Sequence, residues 1–259
     1  MRPKFPEAFE LFYAVFEGTA ADVRERLTAG DDPNACSADG RTPLTFAVYS
    51  ARDLAKANLL FEAGARVDVW DLFGMQSIHW VTGSTYRDDV RCLSWLLDRG
   101  ADPSAPVRPP TGDKYHAIGW APLHIAADRA SLAATRFLID RHANVRASSA
   151  DGSTALHVAA GKYRVYKRLM RMLLDAGADI DAADSAGRTP LHVLAKGHGR
   201  YRKSAIRFLR HRNACLDARD RDGRRPADLV PEGFPATAAI RRLLDVPSGP
   251  RTSTNDPVQ

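Results

Sequence analysis

The sequence predicts an all-α solenoid of about seven stacked helix-turn-helix units, each followed by an extended, β-hairpin-like finger. Three observations predict it. A ten-residue pattern recurs in phase: "DGRTPLTFAV" (39–48), "FGMQSIHWVT" (73–82), "IGWAPLHIAA" (118–127), "DGSTALHVAA" (151–160), "AGRTPLHVLA" (186–195) and "DGRRPADLVP" (222–231), with Gly always second and spacings of 34, 45, 33, 35 and 36. A second pattern follows each of the first five, as "LLFEAGARVD", "LLDRGADPS", "LIDRHANVR", "LLDAGADID" and "LRHRNACLD". Between them apolar residues fall at helical spacing. Self-similarity at such a period means units that bury their apolar faces only against neighbours.

The elements follow in order. The first unit, about 5–36, has "EAFELFYAVFEGTAADVRERL" in place of the first pattern and reads as an N-terminal cap. Fuller units span about 37–70, 71–115, 116–148, 149–183 and 184–219. The last, 220–245, carries Arg225, Ala227 and Asp228 where the others hold Thr, Leu and His, and reads as a C-terminal cap. Residues 1–245 are thus expected to form one repeat domain, and 246–259, "VPSGPRTSTNDPVQ", a disordered tail with little to bury.

Within a unit each residue type has a reason. Thr-Pro fits a helix start: the hydroxyl caps an orphan N–H, and proline lacks the donor that would be wasted there. In the fifth unit Leu156, Val158, Ala159 and Ala160 give one apolar face, and Leu169, Met172, Leu173 and Leu174 a second. Gly177 suits the left-handed end of the second helix. "DAADSAG" (181–187) is turn-rich and leads into the next Thr-Pro.

Two departures stand out. The spacing of 45 places an insertion at 102–119, "DPSAPVRPPTGDKYHAIG", whose four prolines forbid a helix, so an enlarged finger loop is expected. The turns between paired helices also vary. From the first-helix alanine position to the glycine position ending the second there are 17 residues in the second unit (Ala47 to Gly64) but 16 in the fourth (Ala126 to His142). Three of the longer turns carry a Tyr-Arg pair: Tyr86-Arg87, Tyr163-Arg164 and Tyr201-Arg202.

These motifs resemble the ankyrin repeat family, with its T-P-L-H-x-A and L-L-x-x-G-A-D signatures, over roughly residues 8–245. The resemblance implies a protein-interaction module whose finger tips, inner-helix faces and intervening groove form the partner surface. It also implies that the recurring histidine bonds backbone in the fingers.

Composition is that of a soluble globular chain: 259 residues, 44% hydrophobic and 26% charged. No run approaches the roughly 18 apolar residues of a membrane span, and "MRPKFPEAFELFYAVFEG" reads as folded protein, not a signal peptide. Three widely spaced cysteines, Cys36, Cys92 and Cys215, form no disulfide framework and no zinc pattern, so a cytoplasmic monomer is expected.

No catalytic, metal or cofactor site is expected. His79, His124, His157 and His192 sit one per repeat, about 10 Å apart if their helices stack, whereas zinc holds its ligands at about 2 Å. No G-x-S-x-G, Walker A or H-E-x-x-H motif occurs.

The surface positions carry more signal. Fingers of the third and fourth units hold Trp70, Leu72, Phe73, Met75, Tyr115, Ile118 and Trp120, where other units hold mostly Ala, Ser, Asp or Arg. With Tyr49 they form a candidate partner-binding patch; alternatively the insertion folds over them. Residues 161–225 carry a net charge of +10, against −3 for residues 1–160. That basic block is either a solvated outer face or a flank (Lys162, Arg164, Arg188, Lys196, Arg221 and Arg224) steering an acidic protein. Electrostatic nucleic-acid binding through Lys167, Arg168, Arg202 and Lys203 is the alternative. The expected function is non-enzymatic protein binding, as a scaffold, adaptor or inhibitor. A toxin-immunity protein or host-directed effector is a more specific version of it.

Overall fold

The computed structural model describes residues 10–84, 90–110, 118–161, 166–197, 202–233 and 237–245. They form two compact units, one up to Asp179 and one from Ile180. Among the described residues the secondary structure is helical, with one isolated antiparallel bridge, Ser148 to Thr154.

The first unit pairs inner with outer helices: α1 (Glu10–Phe16) with α2 (Ala20–Thr28), α3 (Pro43–Thr45) with α4 (Leu54–Glu62), α5 (Ser77–Thr82) with α6 (Arg91–Asp98), α7 (Pro122–Asp128) with α8 (Leu132–Asp140) and α9 (Ala155–Gly161) with α10 (Tyr166–Asp175). The inner helices pack in sequence on one another. Leu44, Ile78, Leu123 and Leu156, the leucine position of the repeat, are fully buried, as are Leu60, Leu96, Leu138 and Leu173 from the outer row. Each such side chain contributes about 1.5–3 kcal/mol. The second unit holds α11 (Pro190–Lys196), α12 (Arg202–His211), a 3₁₀ turn (Pro226–Leu229) and α13 (Thr237–Leu244), with Leu191 and Leu209 among its buried leucines.

The cap predicted at the N-terminus begins, among the described residues, with α1. It is tied down by Lys56, a buried lysine of α4 whose Nζ donates to the Val15 carbonyl at 2.8 Å. In α10 the buried face is Leu169, Met170 and Leu173, so Met170 and not Met172 completes the stripe. The Thr-Pro cap forms as expected at Thr42, whose Oγ1 accepts from Thr45 N at 3.3 Å. At Thr154 and Thr189 the hydroxyl instead meets a histidine ring nitrogen at 2.9 Å, because the histidine takes over the capping.

The extra residue in the second unit has a local solution. After α3 the backbone widens into a π turn, Phe46–Ala51, which absorbs one residue more than an α-helical turn. Arg52 then turns left-handed at φ 54° and Asp53 caps α4. In the fourth unit, one residue shorter, α7 stays regular and Ala130 makes the same left-handed turn at φ 54°.

Candidate partner-binding surface

The fingers set the surface. Each finger tip is the same turn: Asp71 N donates to Met75 O (2.8 Å), Asp184 N to Arg188 O (2.9 Å) and Asp220 N to Arg224 O (2.9 Å). The glycine in that turn has positive φ because the chain must reverse left-handed there. Within the first unit a ladder then links successive fingers: Leu72 N to Asp39 O (3.0 Å), Arg108 N to Gly74 O (2.8 Å) and Ala150 N to Ile118 O (3.0 Å). Arg221 N to Ala186 O (2.9 Å) repeats it in the second unit. The approach is close enough that a Cβ at Gly74 would lie 2.0 Å from Arg108 O. The start of the 102–119 insertion is therefore built into the ladder: Ala105 and Val107 are buried and Val107 N donates to Trp120 O.

The histidine row bonds backbone, as the family resemblance implies. Nδ1 of His79, His124, His157 and His192 accepts the N–H of the residue three before it, at 2.9–3.1 Å. Nε2 of His79, His124 and His192 contacts the carbonyls of Ala105, Ser153 and Arg224 at 2.8, 3.0 and 3.1 Å, so it carries the proton and donates. These rings join one repeat to the next finger. Burial depresses the His79 pKa to about 4, because a charged imidazolium would lose its water; burial lowers that of His124 likewise.

An aromatic cluster forms, and of the residues expected from the sequence it contains Tyr49 and Phe73. Its centre is Trp80, which the sequence reading passed over. Trp80 lies 5.4 Å from Tyr49 and 5.8 Å from Phe73, ring centre to ring centre. The Arg41 guanidinium sits over both Trp80 (5.0 Å) and Phe46 (4.8 Å), and Phe46 meets Phe12 edge-on at 5.5 Å. This stripe crosses three repeats and every member is half-buried. Asp71 anchors it: its carboxylate accepts from Trp80 Nε1 at 2.6 Å and from the N–H groups of Phe73 (3.0 Å) and Met75 (2.8 Å). Burial raises the Asp71 pKa, and those donors only partly offset the rise.

The other expected patch residues lie apart from that stripe. Trp70 packs on its own repeat's His79 at 6.0 Å under the Arg108 guanidinium at 4.2 Å, so the base of the insertion covers one of its faces. Trp120 stacks on His124 at 6.0 Å. Leu72 is exposed, and Met75 and Ile118 are half-buried. Tyr115, Lys162 and Arg164 lie outside the described residues. Trp80 was legible in one column: the residue after the repeat histidine position runs Phe46, Trp80, Ile125, Val158, Val193 and Leu229.

In the second unit the same face is charged. Arg188 pairs with Asp184 at 2.7 Å and Arg224 with Asp220 at 3.0 Å, each aspartate side chain being 1% exposed. Both carboxylates also accept backbone N–H groups of their own turn. Burial would raise their pKa values, but the arginine and N–H donors outweigh it and hold both below the usual carboxylate range. Lys196 and Arg221 are exposed.

Arg202 departs from its expected role. It is buried, and its Nη1 donates to the Ala195 (3.1 Å) and Gly197 carbonyls, capping the end of α11. Its Nε has no hydrogen-bond partner among the described residues, and burial lowers its pKa. Arg202 thus supplies a scaffold bond and is not a surface cation for nucleic acid; Tyr201 lies outside the described residues. Lys167, Arg168 and Arg171 are exposed on the outer helix, as expected. Among the described residues no cluster of His, Cys, Asp or Glu could hold a metal, and no helix is long and apolar enough to cross a membrane.

Finger ladders, a buried histidine in four of the repeats and paired helices define a tandem-repeat protein of stacked helix pairs. Residues 108–184 match the family model of ankyrin repeats in three copies and residues 186–221 that of the single ankyrin repeat, so these stretches of the chain are ankyrin repeats. The chain is similar to the nuclear factor NF-kappa-B p105 subunit of Gallus gallus, 29% identical over 155 residues, covering 59% of this chain and 15% of that protein. It is also similar to the human transient receptor potential cation channel subfamily A member 1, 28% identical over 152 residues, 56% of this chain and 12% of that one. The chain therefore spans less than a sixth of the length of these relatives. Among solved structures the fold resembles the human ASB11 ankyrin repeat domain (TM-score 0.73, 22% identity, 92% of this chain and 99% of that one). It also resembles the ankyrin repeat domain of Bcl-3, a member of the IkappaB protein family (TM-score 0.70, 20% identity, 91% and 97%).

Proposed function

We propose that this chain is a non-enzymatic protein-binding module, and that the stripe Phe12–Phe46–Arg41–Trp80 with Tyr49 and Phe73 is its principal contact surface. One observation carries the reading. Six side chains from three repeats, five aromatic and one a stacked arginine, stay half-exposed on the finger and inner-helix side, where no fold requirement calls for rings. Aromatic and arginine side chains in such clusters dominate binding energy in protein interfaces. Asp71 and the finger ladder hold them in place, so little freedom is lost on docking. The similarity to the p105 subunit and to the IkappaB-family fold of Bcl-3 is consistent with a partner that is a protein. Occlusion or scaffolding in a reducing, cytoplasmic setting is the mode of action we assign, an inhibitor or immunity role being its narrower form.

The test is affinity capture from native lysate with wild type and with a Trp80→Ala/Phe73→Ala variant whose melting is checked in parallel. A specific band lost in the folded variant is the expected result. A band retained at wild-type intensity sinks the stripe as the contact surface.

A further inference from the structure

The second unit contains a cleft of about 560 Å³ between the fingers of its two repeats and the 3₁₀ turn. Its walls are Arg188, Lys196, Arg224 and Arg241, with the carboxylates of Asp228 and Glu232, and its floor includes Leu229, Val230 and Pro231. That volume lies in the range of sites that enclose a small ligand or a few side chains.

The charges are not equivalent. Asp228 pairs with Arg225 outside the cleft (3.3 Å), and Glu232 with Arg241 (3.4 Å). Arg188 and Arg224 are clamped by buried Asp184 and Asp220, which fixes where their guanidinium groups point. Lys196, at the end of α11, is exposed and has no ion-pair partner among the described residues. The unit as a whole, residues 180–245, carries 14 Lys+Arg against 8 Asp+Glu. An anion entering the cleft therefore meets the Lys196 ammonium and two guanidinium groups held in place by their own carboxylates, Arg188 by Asp184 and Arg224 by both Asp220 and Asp222.

We infer that this cleft receives a short acidic segment of a partner protein. Its carboxylates would sit on Lys196, Arg188 and Arg224, and an apolar side chain between them on the Leu229–Val230–Pro231 floor. The inference rests on the reading of the chain as a protein-binding module. The lining selects against the other anions. A nucleic-acid strand offers an unbroken row of phosphates and leaves the floor unused. A free phosphate likewise has nothing to place on that floor. A peptide alternating carboxylates with an apolar residue matches both surfaces.

The experiment uses the full chain at low salt and follows fluorescence anisotropy of a fluorescein-labelled peptide in which glutamates flank one central leucine. Saturable binding is expected, weakened about tenfold by Lys196→Glu, less by Lys196→Ala, and also weakened when glycine replaces the peptide's leucine. Lys196 is exposed, so both variants should melt like wild type. Trp80→Ala should leave the peptide affinity unchanged while removing the captured band described above. Absence of peptide binding, or affinity indifferent to Lys196→Glu, overturns the cleft assignment and leaves the module reading standing on the capture result. A single-stranded oligonucleotide of matched charge binding as tightly as the peptide overturns it as well, and so does displacement of the peptide by low millimolar phosphate.

Discussion

The two compact units use one repeat frame to build surfaces of opposite chemistry. In the first, Arg41 of the finger lies flat between Phe46 and Trp80. In the second, the arginines at the same finger position, Arg188 and Arg224, lie beside a cleft floored by Leu229 and its neighbours, with Val193 and Leu229 where Phe46 and Trp80 stand. The frame is the same in both: leucine buried, histidine bonding the next finger, glycine reversing the chain. The lesson is that the frame positions largely keep one residue type from repeat to repeat, whereas the residue after the histidine changes from ring to aliphatic without altering the frame. One solenoid can therefore carry an aromatic and an electrostatic surface without changing its fold.

The comparison breaks most readily at the shared frame. Gly74→Ala in the first unit forces both a left-handed alanine and a Cβ against Arg108 O, and should cost about 3 kcal/mol or more in urea unfolding. Gly223→Ala in the second has positive φ but nothing near its Cβ, and should cost only about 1 kcal/mol. Equal losses would show that the finger ladder is not the constraint.

Acid should act through His79. Its folded pKa, about 4, lies below the ordinary 6.5, so the unfolded chain takes up the proton first as pH falls. The stability from the neutral ring is complete above pH 6.5 and is lost downward through pH 4, by about 3 kcal/mol at pH 4. Urea midpoints of wild type and His79→Leu across that range check it, since the variant should lose this part of the pH dependence.

Arg202→Met removes the donors to the Ala195 and Gly197 carbonyls while keeping an apolar stem, and should cost about 2 kcal/mol. A nucleic-acid role for this residue predicts instead an unchanged melt. The smallest effects separate the two arginine settings. Arg41→Ala loses its contacts with Phe46 and Trp80 as well as its ion pair with Asp39 and should cost about 1–2 kcal/mol with little salt dependence. Arg188→Ala, which keeps the backbone donors to Asp184, should cost about 1 kcal/mol or less. Thermal melts at two salt concentrations discriminate them.

Much of this was legible beforehand because it is periodic. The repeated glycine and leucine positions gave the units, and the family resemblance implied the histidine's backbone-bonding role. Lys167, Arg168 and Arg171 were readable as an exposed face because helical spacing alone puts them opposite Leu169 and Leu173. What escaped was pairwise. Whether Trp70 or Trp80 joins Phe73 depends on which ring the neighbouring repeat leaves room for, and Arg108 occupies the space over Trp70. That Arg202 turns inward depends on two carbonyls at the end of α11 left without helical donors.

The sequence by itself determined the repeat, its frame residues and the unequal charge of its two halves, since these follow from local periodicity and composition. Only the tertiary structure decided which side chains became a surface. A half-buried ring or guanidinium takes its place from the residues stacked beside it, and many of those come from the neighbouring repeat, as Phe12 does for Phe46 and Tyr49 for Trp80.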